Sequence, residues 1–526
     1  MSGSRGTWED HWEECAKYVL PAYSNSFNAH AMNTPGAKRS QYQYDSTAVT
    51  ANGRFAAVME SMLTPRSQRW QRVVPSDSYL MKSRAVRLYF EEVTNQLFRY
   101  RYAPEANFQG QNHQNYIGMG AFGTGCLFID KLASAPGLRY KAIHLGQIYF
   151  AENHQGVIDR AIRRFPLTAR QAYQKWGDKC GPQVKEAAEK KPETEFYFLH
   201  CVKPRTDRDA FRMDYKGMDF ASYYVDESAK LTIEEGGYSS FPYAISRYTQ
   251  APGEIYGRSP AMEALAAIKG LNEMKKTGLK QGHRVVDPIL LLADDNILDT
   301  FSLRPGSAVV GGMSGEGRPL VGTLPTGNLA ANEKMMAMEM QSINDAFLTT
   351  LFQILTETPS MTATEVLERT REKGVLLSPT AGRQQSEYLG PMTVREIDLL
   401  EMQGLLPPMP PELVEAKGEY LMQYDSPLNR AARAEEAAGF MRTVEMATAV
   451  FNVTQDPSVM DRFDFDVAIP EIAELQATPT RWMRSMEAVE AIREGRAQQA
   501  QVGQAIEAGP AVAALAKTVA GAPAAR

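Results

Sequence analysis

Hydrophobic residues recur with helical spacing through the first hundred positions. The stretches "RFAAVMESML" (residues 54–63) and "SRAVRLYFEEVTNQLFRYRY" (83–102) each predict a helix, and Pro65 and Pro75 break the chain between them. From about residue 126 the pattern changes. "CLFID", "AIHLGQIYF", "TEFYFLHCV" and "FASYYVD" are short, aromatic and β-branched, and Gly, Pro and Asn or Asp bound them. They predict an antiparallel sheet region over 126–250, with "PLTARQAYQKWG" (166–177) as an inserted helix.

A longer helix opens at Ser259. Its hydroxyl can cap an orphan amide, Pro260 fits the first helical position, and Glu263 favours the positive end of the helix dipole. Met262, Leu265, Ile268, Leu271 and Met274 recur every third residue, so the apolar row drifts around a helix of 3.6 residues per turn. A helix with no single dry face predicts packing among several neighbours. It should end near Gly282. Residues 287–328 read as strands and turns rich in Gly and Pro, and a Met-rich helix is expected over 332–355. After the break "TETPS", Thr362 and Glu365 form a capping box for a further helix. Pro407, Pro408, Pro410 and Pro411 mark a boundary, and the Ala-rich end reads as a marginal helix or a disordered tail. The order is helix, compact β-rich excursion, return helix, break, capped helix. That is the order of a protruding helical hairpin with a small domain at its tip.

Composition adds limits. The 526 residues provide for two to four domains, with 44% hydrophobic and 23% charged residues. A net charge of −5 gives no general attraction to nucleic acid or anionic membrane. The 4 cysteines form no CxxC pair, which points to reduced thiols and a cytoplasmic folding compartment. The N-terminus is no signal peptide, and "ILLLA" is far short of the roughly 20 apolar residues that span a bilayer.

Chemistry-bearing motifs are few. "GMGAFG" (118–123) matches GxGxxG, but a helix precedes it and a strand follows, the reverse of a dinucleotide loop, so a tight helix-to-strand connection is expected. None of the 7 histidines has metal-ligand spacing. Strand alternation puts His200 and Cys201 on opposite faces, against a joint site. No phosphate loop or nucleophile elbow is present. Nothing calls for a cofactor, a metal or an enzyme. The basic positions Lys269, Lys275, Lys276, Lys280 and Arg284 are a solvated face or a weak, non-specific phosphate contact.

Several stretches, in order, resemble the portal, or head-to-tail connecting, proteins of short-tailed bacteriophages. They are "ECAKYVLPAYS" (14–24), "GRFAAVMESMLTPRSQRWQRV" (53–73), "GMGAFGTGCLFI" (118–129), "YGRSPAMEALAAIKGLNEM" (256–274) and "MTATEVLERTREKGVLLSP" (361–379). The resemblance implies a mainly helical α+β portal fold closing into a ring of about twelve copies, which needs a heterologous interface. It implies a wing over 1–252, stem helices over 253–284 and 331–355, and a clip over 285–330. A channel loop would cover 356–361, a long wing helix 362–410 and a crown 411–526. The implied DNA-channel residues are the five basic positions with Thr356, Glu357, Thr358 and Ser360. Asp294, Asp295, Arg304, Ser314, Glu316 and Arg318 would dock the large terminase ATPase and then the tail adaptor. Further implied partners are double-stranded DNA, scaffolding protein and major capsid protein, at the capsid vertex of a virion assembled in the host cytoplasm. Two alternatives remain: another head–tail ring component such as an adaptor, and a nucleotide-binding enzyme using the Gly118–Gly125 loop.

Overall fold

A computed structural model describes residues 5–27, 36–133, 135–287, 290–292, 313–319, 321–323, 329–349, 379–416, 418–424, 427–455, 457–475, 482–484, 488–496 and 498–499. It is mixed α+β, mainly helical with several small antiparallel sheets. Two compact units divide the chain. One is Met1–Trp70 with Leu97–Leu405, and the other is Gln71–Gln96 with Leu406–Arg526.

The chain begins with helices α1 (Gly6–Val19) and α2 (Thr47–Leu63), then strand β1 (Gln71–Pro75) and helices α3 (Arg84–Arg101) and α4 (Phe108–Phe122). In the first unit, α2 lies on α4, and Phe55, Ala56, Met59, Tyr116 and Met119 are buried. Arg5 anchors the start of α1, donating to the carbonyls of Ile148 and Leu145 at 2.5 and 2.6 Å. The expected glycine connection is present. α4 ends at Phe122, Gly123 takes φ 77°, and strand β2 (Thr124–Lys131) follows at once.

The sheet region forms two antiparallel sheets. Strand β2 is the centre of one, between β3 (Leu138–Ala142) and, later in the chain, Tyr243–Arg247. The other is a meander of β4 (Ile148–Glu152), β5 (Ile158–Thr168), β6 (Glu195–Pro204), β7 (Phe220–Asp226) and β8 (Leu231–Tyr238), and Tyr243–Arg247 is β9. Two short helices, α5 (Ala169–Trp176) and α6 (Pro182–Lys190), cover a face of the meander around Phe165, Trp176, Val184 and Phe198. Thr168 and Gln171 make a complete capping box for α5, so the expected inserted helix starts at Ala169, and Pro166–Thr168 finish β5 instead.

"AIHLGQIYF" is not one strand. His144 accepts the N–H of Gly146 at 3.0 Å, and a helical turn, Leu145–Gln147, separates β3 from β4. That side-chain bond to the backbone competes with strand pairing, which alternation alone does not reveal.

The helix begun at Ser259 is two pieces, α7 (Pro260–Glu263) and α8 (Leu265–Val286). Ser259 accepts the N–H of Met262 at 3.0 Å, as expected of an N-cap, and donates to the carbonyl of Ala121 at 3.0 Å. Strand β10 (Leu290–Leu292) pairs with β11 (Val321–Thr323), and helix α9 (Leu329–Ala346) returns along α8. A π turn, Gln385–Leu389, leads into α10 (Gly390–Met402). The Thr362–Glu365 capping box and the Ala-rich tail lie outside the described residues.

In the second unit, α11 (Pro411–Glu415) leads to β12 (Tyr420–Tyr424), which pairs antiparallel with β1 from Gln71↔Tyr424 to Pro75↔Tyr420. Helices α12 (Pro427–Thr454) and α13 (Phe465–Leu475) follow. The β1–β12 pairing was not anticipated, because neither strand alternates over more than five residues.

Candidate functional site

The helical hairpin and its tip carry the candidate site. Helices α8 and α9 touch along one side of each. Asn332 Nδ2 donates to the carbonyl of Met274 at 3.4 Å, and a Cβ on Gly278 would lie 2.8 Å from that same nitrogen. The approach is close because Gly278 carries no side chain. Beyond the helices the two chain segments stay paired, with Leu290↔Thr323 and Leu292↔Val321 in register. Of the segment that the sequence places between these two strands, Met313–Pro319 is described. There, Met313 bridges Pro319, and Ser314 and Arg318 exchange hydrogen bonds across a turn at Gly317, φ 78°.

The hairpin is only partly dry. Leu265, Ile268 and Leu271 are buried near the body of the chain. Further out, Leu279, Val285, Met335 and Met338 are exposed, and Val286 keeps 86% of its surface. The drifting row of the sequence is not what is exposed: Met262, Leu265, Ile268 and Leu271 are buried, and the exposed apolar residues lie beyond them on α8 and on α9.

The basic positions do not act as one group. Lys269, Lys276 and Lys280 share a face of α8, with Arg284 beside it, while Lys275 points about 120° away at 100° per residue. Lys269 is paired with Glu14 of α1 at 2.5 Å, and Lys276 with Glu273 at 3.0 Å. Each carboxylate holds its lysine's pKa above the usual value. Lys275, Lys280 and Arg284 have no carboxylate partner among the described residues. Of the tip positions, Ser314, Glu316 and Arg318 share one exposed turn, and Glu316 and Arg318 stand 3.9 Å apart. Asp294, Asp295, Arg304, Thr356, Glu357, Thr358 and Ser360 lie outside the described residues.

The rival motifs have structural explanations. A Cβ on Gly120 would lie 2.2 Å from Asn52 Oδ1, and one on Gly123 would lie 2.1 Å from the carbonyl oxygen of Gly257. These glycines allow close packing of α2 and of the segment before Ser259. His200 is buried, stacks on Tyr224 at 4.2 Å, and bonds Tyr243 and Ser222 at 2.6 and 3.0 Å. Burial holds it neutral, with a pKa well below the usual histidine value. Cys201 lies next to it with its own thiol pushed up by burial. No group of His, Cys, Asp and Glu among the described residues is placed to hold a metal. No described helix is long and apolar enough to cross a membrane.

Residues 1–483 match the family profile of the bacteriophage head to tail connecting protein. The chain belongs to this family. It is a portal protein of the phage virion, a structural component and not an enzyme. It is similar to the "Probable portal protein" of Bordetella phage BPP-1, with 28% identity over 471 residues, 88% of this chain and 83% of that one. It is also similar to the "Portal protein" of Salmonella phage epsilon15, with 26% identity over 497 residues, 91% of this chain and 86% of that one. The family membership removes the enzyme alternative built on Gly118–Gly125.

Sequence reasoning located the hairpin from its cap and its unusual apolar row. It did not find Glu14 as the partner of Lys269, because 255 residues separate them and no local signal links them.

Proposed function

We propose that copies of this portal protein close into a ring at the capsid vertex, with α8 and α9 as the stem around a channel for double-stranded DNA. The observation that carries the reading is the exposed apolar surface of the hairpin. Val286 at 86% and Met338 at 73% exposure are out of place on a helix pair that stays in water. Contact with adjacent copies would bury them, and head-to-tail contacts of this kind close only as rings.

On this reading residues 285–330 form the clip, residues 356–361 the loop facing DNA, and residues 362–410 the wing helix and its return. Residues 411–526 form the crown. The clip turn at Ser314–Arg318 stands ready for docking, first by the large terminase ATPase and then by the tail adaptor. Scaffolding and major capsid proteins surround the ring during assembly. A net charge of −5 per chain, multiplied round a ring, repels the phosphate backbone as a whole. Lys280 and Arg284, on one face of α8, are then the cations that can offer DNA a shallow, sequence-independent attraction, while Lys275 lies on another side of the helix. Lys269 and Lys276, already neutralised by Glu14 and Glu273, contribute less. The duplex is thereby guided without being held.

Substituting Met338→Glu tests the interface. Light scattering should show the wild-type oligomer replaced by smaller species, with the far-UV spectrum of the chain unchanged. A variant that assembles as well as the wild type removes Met338 from the interface and contradicts this placing of the stem.

A further inference from the structure

A cavity of about 240 Å³ lies beside the α4–β2 connection, away from the hairpin. Its depth holds Arg163 of β5, only 7% exposed. No carboxylate pairs with Arg163 among the described residues, and its buried Nε has no hydrogen-bond partner. Its polar contact is the neutral hydroxyl of Tyr243, and the ring of Phe165 lies 4.5 Å from the guanidinium. An unpaired buried cation is costly, and proteins as a rule pair it or let it bind an anion.

A second cation stands at the mouth. Lys141, at the end of β3, likewise has no carboxylate partner among the described residues. Its pKa is lowered, first by burial and then by the charges of Arg163 and Arg139. A third donor lines the wall. Nδ1 of His144 accepts the N–H of Gly146 at 3.0 Å, so the proton of the neutral ring is on Nε2. That buried Nε2 has no partner. Asn115 donates to Ser246 at 3.0 Å and leaves its Oδ1 unpartnered. The cavity thus combines three donors, two of them charged, with one acceptor.

We propose that this cavity binds a small oxyanion of the phosphate class, held by Arg163 in its depth, Lys141 at its mouth and the Nε2–H of His144 in its wall. Cations and N–H donors lining one cavity are what such an anion requires. The Oδ1 of Asn115 suits the hydroxyl of a protonated phosphate, and sulfate at neutral pH has no proton to give it. The inference does not depend on the ring reading, since every residue named belongs to one chain.

The test is calorimetric titration of the full-length protein with inorganic phosphate, against sodium sulfate at matched ionic strength. Phosphate should bind at least tenfold more tightly than sulfate. Lys141→Met, an exposed change at the mouth, should weaken phosphate binding at least tenfold, and Arg163→Gln should abolish it. Lys131→Met, an exposed control on β2, should leave it intact. A 5′-phosphorylated dinucleotide that competes with phosphate would place the natural source on a nucleic-acid end, and one that does not would place it in solution. Because Arg163→Gln can also perturb folding, Lys141→Met decides the matter. Equal binding of phosphate by that variant and the wild type, or equal binding of sulfate and phosphate, overturns the proposal.

Discussion

Arg101 and Glu396 form an ion pair with no solvent exposure on either side chain, although 295 residues separate them. Arg101 Nε donates to both carboxylate oxygens at 3.1 and 3.2 Å, and the Tyr140 hydroxyl donates to Glu396 Oε1 at 2.6 Å. The guanidinium also lies 4.6 Å from the ring of Trp70. Helix α10 is thereby tied to the end of α3 and to β3. Removing one charge leaves the other buried without a counter-charge, which costs about 3–5 kcal/mol. Glu396→Gln should lower the unfolding free energy from urea titration by that amount, and Arg101→Met with Glu396→Met should recover most of the loss. A single variant as stable as the wild type would show the pair to be energetically silent.

Two glycines of the same motif should respond in opposite ways. Gly123 combines φ 77° with the carbonyl of Gly257 2.1 Å from any added Cβ, so Gly123→Ala meets both strain and a clash with backbone. Gly118 lies within α4 with open space around its Cβ position. Gly118→Ala should gain about 0.5–1 kcal/mol, the usual difference between these residues within a helix. Thermal denaturation of the two variants side by side checks the pair. If both shift alike, the connection is not the tight packing point described here.

Acid should destabilise the fold through buried histidines. His144 is held neutral by burial and by Arg5, with a pKa of about 4, against an unfolded value of about 6.5. His200 is depressed in the same direction by burial, Lys175 and Arg163. In both cases the unfolded chain binds a proton that the folded chain refuses. Their contribution is therefore complete above about pH 6.5 and lost as pH falls toward 4, at up to about 1.4 kcal/mol per pH unit per histidine. A urea midpoint that falls between pH 6.5 and 5, and falls less in His144→Gln, is the expected result.

The tip and the stem should separate functionally. Deleting residues 311–317, which the sequence places between β10 and β11, should leave oligomerisation intact and impair docking of the terminase or the adaptor. Size-exclusion chromatography and a packaging assay report the two effects independently. Loss of the oligomer on deletion would move the assembly contacts to the tip.

Much of this was legible in the residues. Ser259 and Pro260 announced the start of the helix, and the row from Met262 to Leu271 announced residues that the fold buries. The reversed order around Gly118–Gly123 announced a connection instead of a nucleotide loop. What stayed hidden was long-range or locally contested. The β1–β12 pairing and the Arg101–Glu396 pair join segments hundreds of residues apart, and periodicity carries no information about partners at that distance. The turn at Leu145–Gln147 was masked because His144 diverts the backbone of a stretch whose composition favours a strand. The basic row on α8 looked uniform, yet Glu14 and Glu273 neutralise two of its members.

The central claim is that this chain works as a ring around a channel. Single-particle electron microscopy of the purified protein, with its mass from light scattering, tests that most directly. The account predicts a ring of about twelve subunit masses with an open axial hole and a narrow stalk formed by α8 and α9, the closed form that head-to-tail contacts can take. A compact small oligomer with a closed centre, its α8 and α9 surfaces still facing solvent, would contradict it.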